Sequence, residues 1–220
     1  MNIFALHRCA KIAANMHCDK HTKMLIEAAQ MLYTHLHCLG VHLPPLVTSD
    51  GKAHAPYKPF CPHHPVTLWL YGGRSHFFWL LDLALCLCER YAENHKEGAR
   101  HQTEPRLRHL RDCVSARDLL DDCDVDDWLA RLEARGEKKH VLAHCRDWHA
   151  TVNAPEGCAF GVVDTGEAFV RAPCGAIDQT ASYAEYYAKK REQFDMTWDK
   201  SAEPPAELAA LWAQLAPVVD

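Results

Sequence analysis

Apolar residues first recur at helical spacing just after residue 23. Met24, Leu25, Ala28, Ala29, Leu32, Leu36 and Leu39 fall on one stripe, and Gly40 closes the run. Residues 75–91 are apolar on nearly every side: Phe77, Phe78, Trp79, Leu80, Leu81, Leu83, Leu85 and Leu87. A helix apolar all round belongs at the buried centre of a domain. Shorter helices are predicted over the Ala-rich residues 8–16, over 183–194, and after Pro204-Pro205, where Leu208, Leu211, Trp212 and Leu215 make a last amphipathic stripe.

Between 41 and 65 the chain carries Pro44, Pro45, Pro56, Pro59, Pro62 and Pro65. Proline lacks an amide donor and fixes φ, so this stretch predicts a long loop rather than a helix or central strand. Alternation at 2–6 predicts a strand. Phe160, Val162 and Val163 before Asp164-Thr165-Gly166, with Ala168, Phe169 and Val170 after it, predict a hairpin over 159–171. The expectation is a mainly α fold: a helical domain with a central buried helix and a small β element, made of the N-terminal strand and that hairpin. Residues 1–200 read as a single domain with a charged insert at about 99–157, and 201–220 as a C-terminal amphipathic helix.

The insert alternates charge with leucine. Arg100, Arg106, Arg108 and Arg111 form a basic patch, and an aspartate-rich run follows through Asp127. Its spacing is not that of a calcium loop, and short surface helices with solvated faces are expected. The net charge of −5 gives no global attraction to nucleic acid, but a local basic groove is compatible with it. No run of about 18 apolar residues is present, so no membrane span is expected. The first residues lack the features of a secretory signal, so a cytoplasmic location is expected. Most of the eleven cysteines, at irregular spacing, are then expected to be free, buried thiols.

The densest polar cluster is His17-Cys18-Asp19-Lys20-His21, at the mouth of the first long helix. Asp19 could cap that helix. His17 and His21 are four apart, as metal-binding pairs are, but a zincin's glutamate is replaced by Cys18. Cys61-Pro62-His63-His64-Pro65 offers further donors, so His17, Asp19, His21 and His64 form a candidate ligand set for a divalent transition metal. The same groups suit metal-free work: His17, His21, Asp19 and His64 for proton transfer, Lys20 and Lys23 for phosphate charge. Tyr183, Tyr186, Tyr187 and Lys189, with Trp198 beyond, interleave aromatic and basic residues as base-stacking surfaces do.

Taken together, these motifs resemble an uncharacterised family of small proteins of tailed phages and other large DNA viruses. The resemblance runs from the opening Met-Asn-Ile-Phe through His17–His21, Lys23-Met24 and Glu27-x-x-Gln30-Met31-Leu32. It continues through Tyr57-Lys58-Pro59, His64-Pro65, Trp69, Phe78-Trp79-Leu80, Leu87-Cys88-Glu89-x-Tyr91 and His95-Lys96. It returns at Tyr183-x-x-Tyr186-Tyr187-x-x-Lys190 and from Phe194 to Trp198. It covers about residues 1–98 and 172–200, and departs in the acidic middle and the final helix.

The resemblance implies work on viral nucleic acid or its precursors. The expected function is therefore an enzyme, a transferase or hydrolase, acting on a nucleotide or DNA base. His17, Asp19, Lys20, His21 and His64 are its expected catalytic centre. Lys23, Tyr57, Lys58, Trp69, Tyr183, Tyr187, Lys190 and Trp198 are its expected substrate contacts, and a nucleotide or DNA its partner. The alternatives are a metal-dependent hydrolase, and a non-catalytic nucleotide-binding or counter-defence protein.

Overall fold

The structure, a computed structural model, describes residues 3–95, 99–115, 119–146, 151–161 and 169–215. It is mainly α, with two small β ladders. The helices are α1 (Ala10–Met16), α2 (Met24–Cys38), α3 (Pro65–Trp69), α4 (Arg74–Asn94), α5 (Glu104–Ser115), α6 (Val125–Ala134), α7 (Lys139–Arg146), α8 (Gln179–Gln193) and α9 (Ala206–Leu215).

The all-apolar run is the central helix, as expected. In α4, Phe77, Leu80, Leu81, Leu83, Ala84 and Leu87 are fully or almost fully buried. Both α1 and α2 pack along α4, and α5 crosses it further on. Gly73 precedes α4 at φ +126, where a side chain would meet the backbone of Asp121 and Asp122 at about 2.5 Å. Glycine lets that strand of backbone lie against the helix entry. Asp122 then caps α4, accepting from the Ser75 amide at 2.7 Å.

The charged middle segment contributes to the core. Leu107, Leu110, Trp128 and Leu132 are fully buried, while Asp124 caps α6 by accepting from the amides of Asp126 and Asp127. At the other end of the chain, α9 packs on α8, and the Trp212 indole donates to the Ala184 carbonyl at 2.9 Å.

The β elements differ from those expected. Ile3–Leu6 is buried but pairs with no strand among the described residues. The proline-rich stretch instead holds an antiparallel pair, β1 (Leu46–Val47) and β2 (Ala53–His54). A parallel pair joins β3 (Thr151–Val152) to β4 (Ile177–Asp178). The turn expected at 164–166 lies outside the described residues. Beyond it, Arg171 bridges Ile177 across a tight turn closed by the Ala172 amide on the Ala176 carbonyl.

Candidate functional site

The His17–His21 cluster sits where α1, the entry to α2, the N-terminal segment and α8 meet. Asp19–Lys23 forms a 3-10 turn ahead of α2, with Cys18 at its start. Asp19 caps neither helix. Its carboxylate accepts from the Asn94 side chain at 2.8 Å, the Thr197 hydroxyl at 2.9 Å and the amides of Asp199 and Lys200 at 3.0 Å. Asp199 and Lys200 are both left-handed, at φ +51 and +65, so their amides converge as an anion-binding nest does. The Arg90 guanidinium lies 3.8 Å away. Asp19 therefore pins the 197–200 turn to the core, and its oxygens are engaged there rather than with either histidine.

His17 is fully buried. Its Nδ1 donates to the Ala13 carbonyl at 2.7 Å, which leaves Nε2 as an unprotonated acceptor with no hydrogen-bond partner among the described residues. Burial pushes its pKa down to about 3, with His21 and Arg90 adding to the effect. It is a neutral interior histidine rather than a solvent-facing acid or base.

His21 is half-buried. Its Nδ1 lies 2.8 Å from the Tyr187 hydroxyl, which also accepts the Cys18 amide at 2.7 Å. Burial holds the Tyr187 phenol well above its ordinary range, so it keeps its proton and donates it to His21 Nδ1. The remaining proton of neutral His21 then sits on Nε2. Its pKa falls to about 4, through burial first and then through the charges of Lys190 and Lys20. Cys18 stays a thiol, because burial pushes it up.

The Phe4 ring is the hub behind this pair. It lies 5.2 Å from His21 and from Tyr187, 5.7 Å from Tyr186, 5.8 Å from His17 and 6.2 Å from Tyr183. Outside it, the Lys190 ammonium lies over the Tyr186 ring at 5.1 Å and the Phe194 ring at 5.6 Å. Phe194 is half exposed to solvent. Tyr186 and Lys190 are four apart on α8, and Phe194, extended just past its end, meets the same ammonium, so the three lie together where α8 ends. The full site is thus His21 backed by Tyr187, flanked by Lys20 and Lys190, and rimmed by Tyr186 and Phe194.

Several expected members are elsewhere. His64 caps α3, its Nδ1 accepting the Val66 amide at 3.2 Å. It follows Phe60, whose amide donates to Thr34 on α2 at 2.9 Å. His21 precedes α2 and Thr34 lies ten residues into it, about 15 Å of helix away. The two histidines therefore do not converge. Tyr57 bonds Thr103 at 2.8 Å and lies under Arg106, and Lys58 is exposed on the same loop, both remote from His21 along α2.

Trp69 and Trp198 are core residues rather than stacking walls. Their indoles donate to the Phe160 carbonyl at 2.9 Å and the Met16 carbonyl at 3.0 Å. Tyr183 and Tyr187 are likewise buried, whereas Phe194 is exposed and Tyr186 half-buried. Lys23 is exposed on the same 3-10 turn as Lys20, and its charge acts on His101.

The metal set fares the same way. Among the described residues, no three His, Cys, Asp or Glu side chains are placed to hold a metal ion. His64 is at the far end of α2, Asp19 is engaged, and His17 Nε2 is sealed in the core. All eleven cysteines are free. Among the described residues no helix is long and apolar enough to cross a membrane. No protein-family model, curated protein or solved structure matches the chain.

Proposed function

We propose that this protein is an enzyme acting on a nucleotide or a DNA base, with His21 as its proton-handling group. One observation carries the reading: a half-buried imidazole is fixed by a buried tyrosine and flanked by two lysines at the exposed end of an aromatic helix face. Tyr187 orients the ring and sets its tautomer. Lys20 and Lys190 are the contacts for a phosphate, and Tyr186 and Phe194 are the surface for a base.

An anion between the lysines would offset the positive charge that depresses His21. Its proton affinity would then rise toward the range useful for general acid–base catalysis at neutral pH. The substrate thus helps create the form of the imidazole that acts on it. The resemblance to viral proteins points in the same direction.

The second reading is a protein that binds the same ligand without turnover. It is favoured by the full engagement of Asp19, which leaves the motif without a free carboxylate base.

The test is a panel of nucleoside mono-, di- and triphosphates and short oligonucleotides, followed by thermal stabilisation and by mass spectrometry for product. Lys190→Ala and Lys20→Ala should abolish stabilisation. His21→Gln should retain binding and lose product. Binding without product in the wild type selects the second reading. No stabilisation by any member of the panel removes both.

A further inference from the structure

The outer face of α4 carries a feature that the His21 site does not use. Two open troughs, of about 440 and 480 Å³, share Lys11, Cys86 and Glu89 as lining residues. They therefore form one continuous groove between α1 and α4. Along α4 it is lined by Ser75, Phe78, Asp82, Cys86, Glu89 and Glu93, steps of three and four that follow one stripe of the helix. From Ser75 to Glu93 this stripe is about 27 Å long.

The floor of the first trough is apolar, with Trp79, Leu85 and Phe78 beneath it and the Arg74 guanidinium 4.8 Å over the Phe78 ring, while the second trough is lined mainly by polar and charged side chains. The rim is acidic: six carboxylates line the joined troughs against three cations. Two of those cations are matched locally, Arg111 to Asp82 and Arg90 to Asp199. Glu89, Glu93, Glu156 and Glu207 then face Lys11. Asp82, Glu89 and Glu93 are exposed along the stripe.

We propose that this groove docks a basic amphipathic helix of a partner protein. An apolar floor at helical spacing accepts the apolar face of such a helix, and the excess of carboxylates accepts its lysines and arginines. The apolar floor spans about two turns of helix, and the acidic stripe carries the groove on to about five. This inference is independent of the chemistry proposed at His21.

The experiment titrates the full-length protein with a labelled synthetic 18-residue peptide. The peptide carries leucine at positions i, i+3, i+4 and i+7 and lysine or arginine on the other face. Its counterpart with glutamate on the polar face is the control, and fluorescence anisotropy is the readout. The basic peptide should bind and the acidic one should not. Glu89→Lys with Glu93→Lys should weaken binding about tenfold or more, and Phe78→Ser about tenfold. Asp126→Lys with Glu133→Lys, an equal charge change on α6, should leave it within about twofold.

Circular dichroism melts confirm that each variant is folded, and Glu89→Gln with Glu93→Gln replaces the reversal if it is not. Equal weakening by the α6 control would reduce the effect to bulk charge and overturn the proposal. Equal binding of the acidic peptide would do the same. So would a wild-type dimer that the groove variants dissociate, because the occupant would then be a second copy of this chain.

Discussion

The Tyr187 hydroxyl stands 2.8 Å from His21 Nδ1, joining residues 166 positions apart in the chain. The same oxygen takes the Cys18 amide, so one buried atom fixes both the backbone entering the 3-10 turn and the tautomer of the imidazole within it. Tyr187→Phe should therefore act at two levels. It strands a buried amide and should cost about 1–3 kcal/mol of stability, read from urea unfolding. It should also release the tautomer. In the wild type, long-range proton–nitrogen NMR should find the His21 proton on Nε2, and the variant should show a mixture.

Four histidines are held neutral by burial: His17 and His35 at about 3, His21 and His76 at about 4. Each lies below its unfolded value near 6.5, so the unfolded chain binds more protons in acid. Stability is fully present above about pH 6.5 and is lost as pH falls toward 3 to 4. Each imidazole steepens the loss by up to about 1.4 kcal/mol per pH unit. Urea unfolding midpoints measured from pH 7.5 to 4.5 should fall steadily below 6.5. A flat profile would mean that the interior histidines are reached by solvent.

Asp19→Asn should destabilise the chain by about 2–4 kcal/mol, because an amide NH2 would then face donors that the carboxylate accepts from, and buried Arg90 would be left with Asp199 alone. Local hydrogen exchange should rise across 197–200. In a double-mutant cycle with Arg90→Met, the two losses should not add. Lys200→Gly should stabilise modestly, since a left-handed residue is relieved.

His64→Ala should leave ligand binding and turnover unchanged and cost about 1 kcal/mol as a lost helix cap. A loss of turnover in a folded His64→Ala protein would place it back at the centre.

The helices were legible where the apolar pattern was long, as in α2 and α4, because a periodic stripe has few alternative burial solutions. The β content was legible in amount and not in place. Residues 3–6 are as apolar as a strand, but whether such a segment finds a pairing edge depends on distant chain. At the site, Tyr187 hydrogen-bonds His21, and the charges of Lys190 and Lys20 lie close enough to lower its pKa. The pairing of Tyr186 with Lys190 was readable from its i, i+4 spacing, while the place of Phe194, extended past the end of α8, was not. The engagement of Asp19 was not, because its partners lie 75 to 181 residues away. Trp69 and Trp198 show the limit of composition: an aromatic residue suits a base and a core equally, and only burial separates them.

The central claim is that His21 and its two lysines form an anion site that controls the proton affinity of the imidazole. The most direct measurement is the His21 pKa by NMR, with and without a bound nucleoside phosphate. It should lie near 4 in the free protein and rise by one unit or more on binding, about 1.4 kcal/mol of coupling per unit. In Lys190→Ala it should already be higher without ligand. A His21 pKa that stays the same on nucleotide addition and in Lys190→Ala would contradict the account.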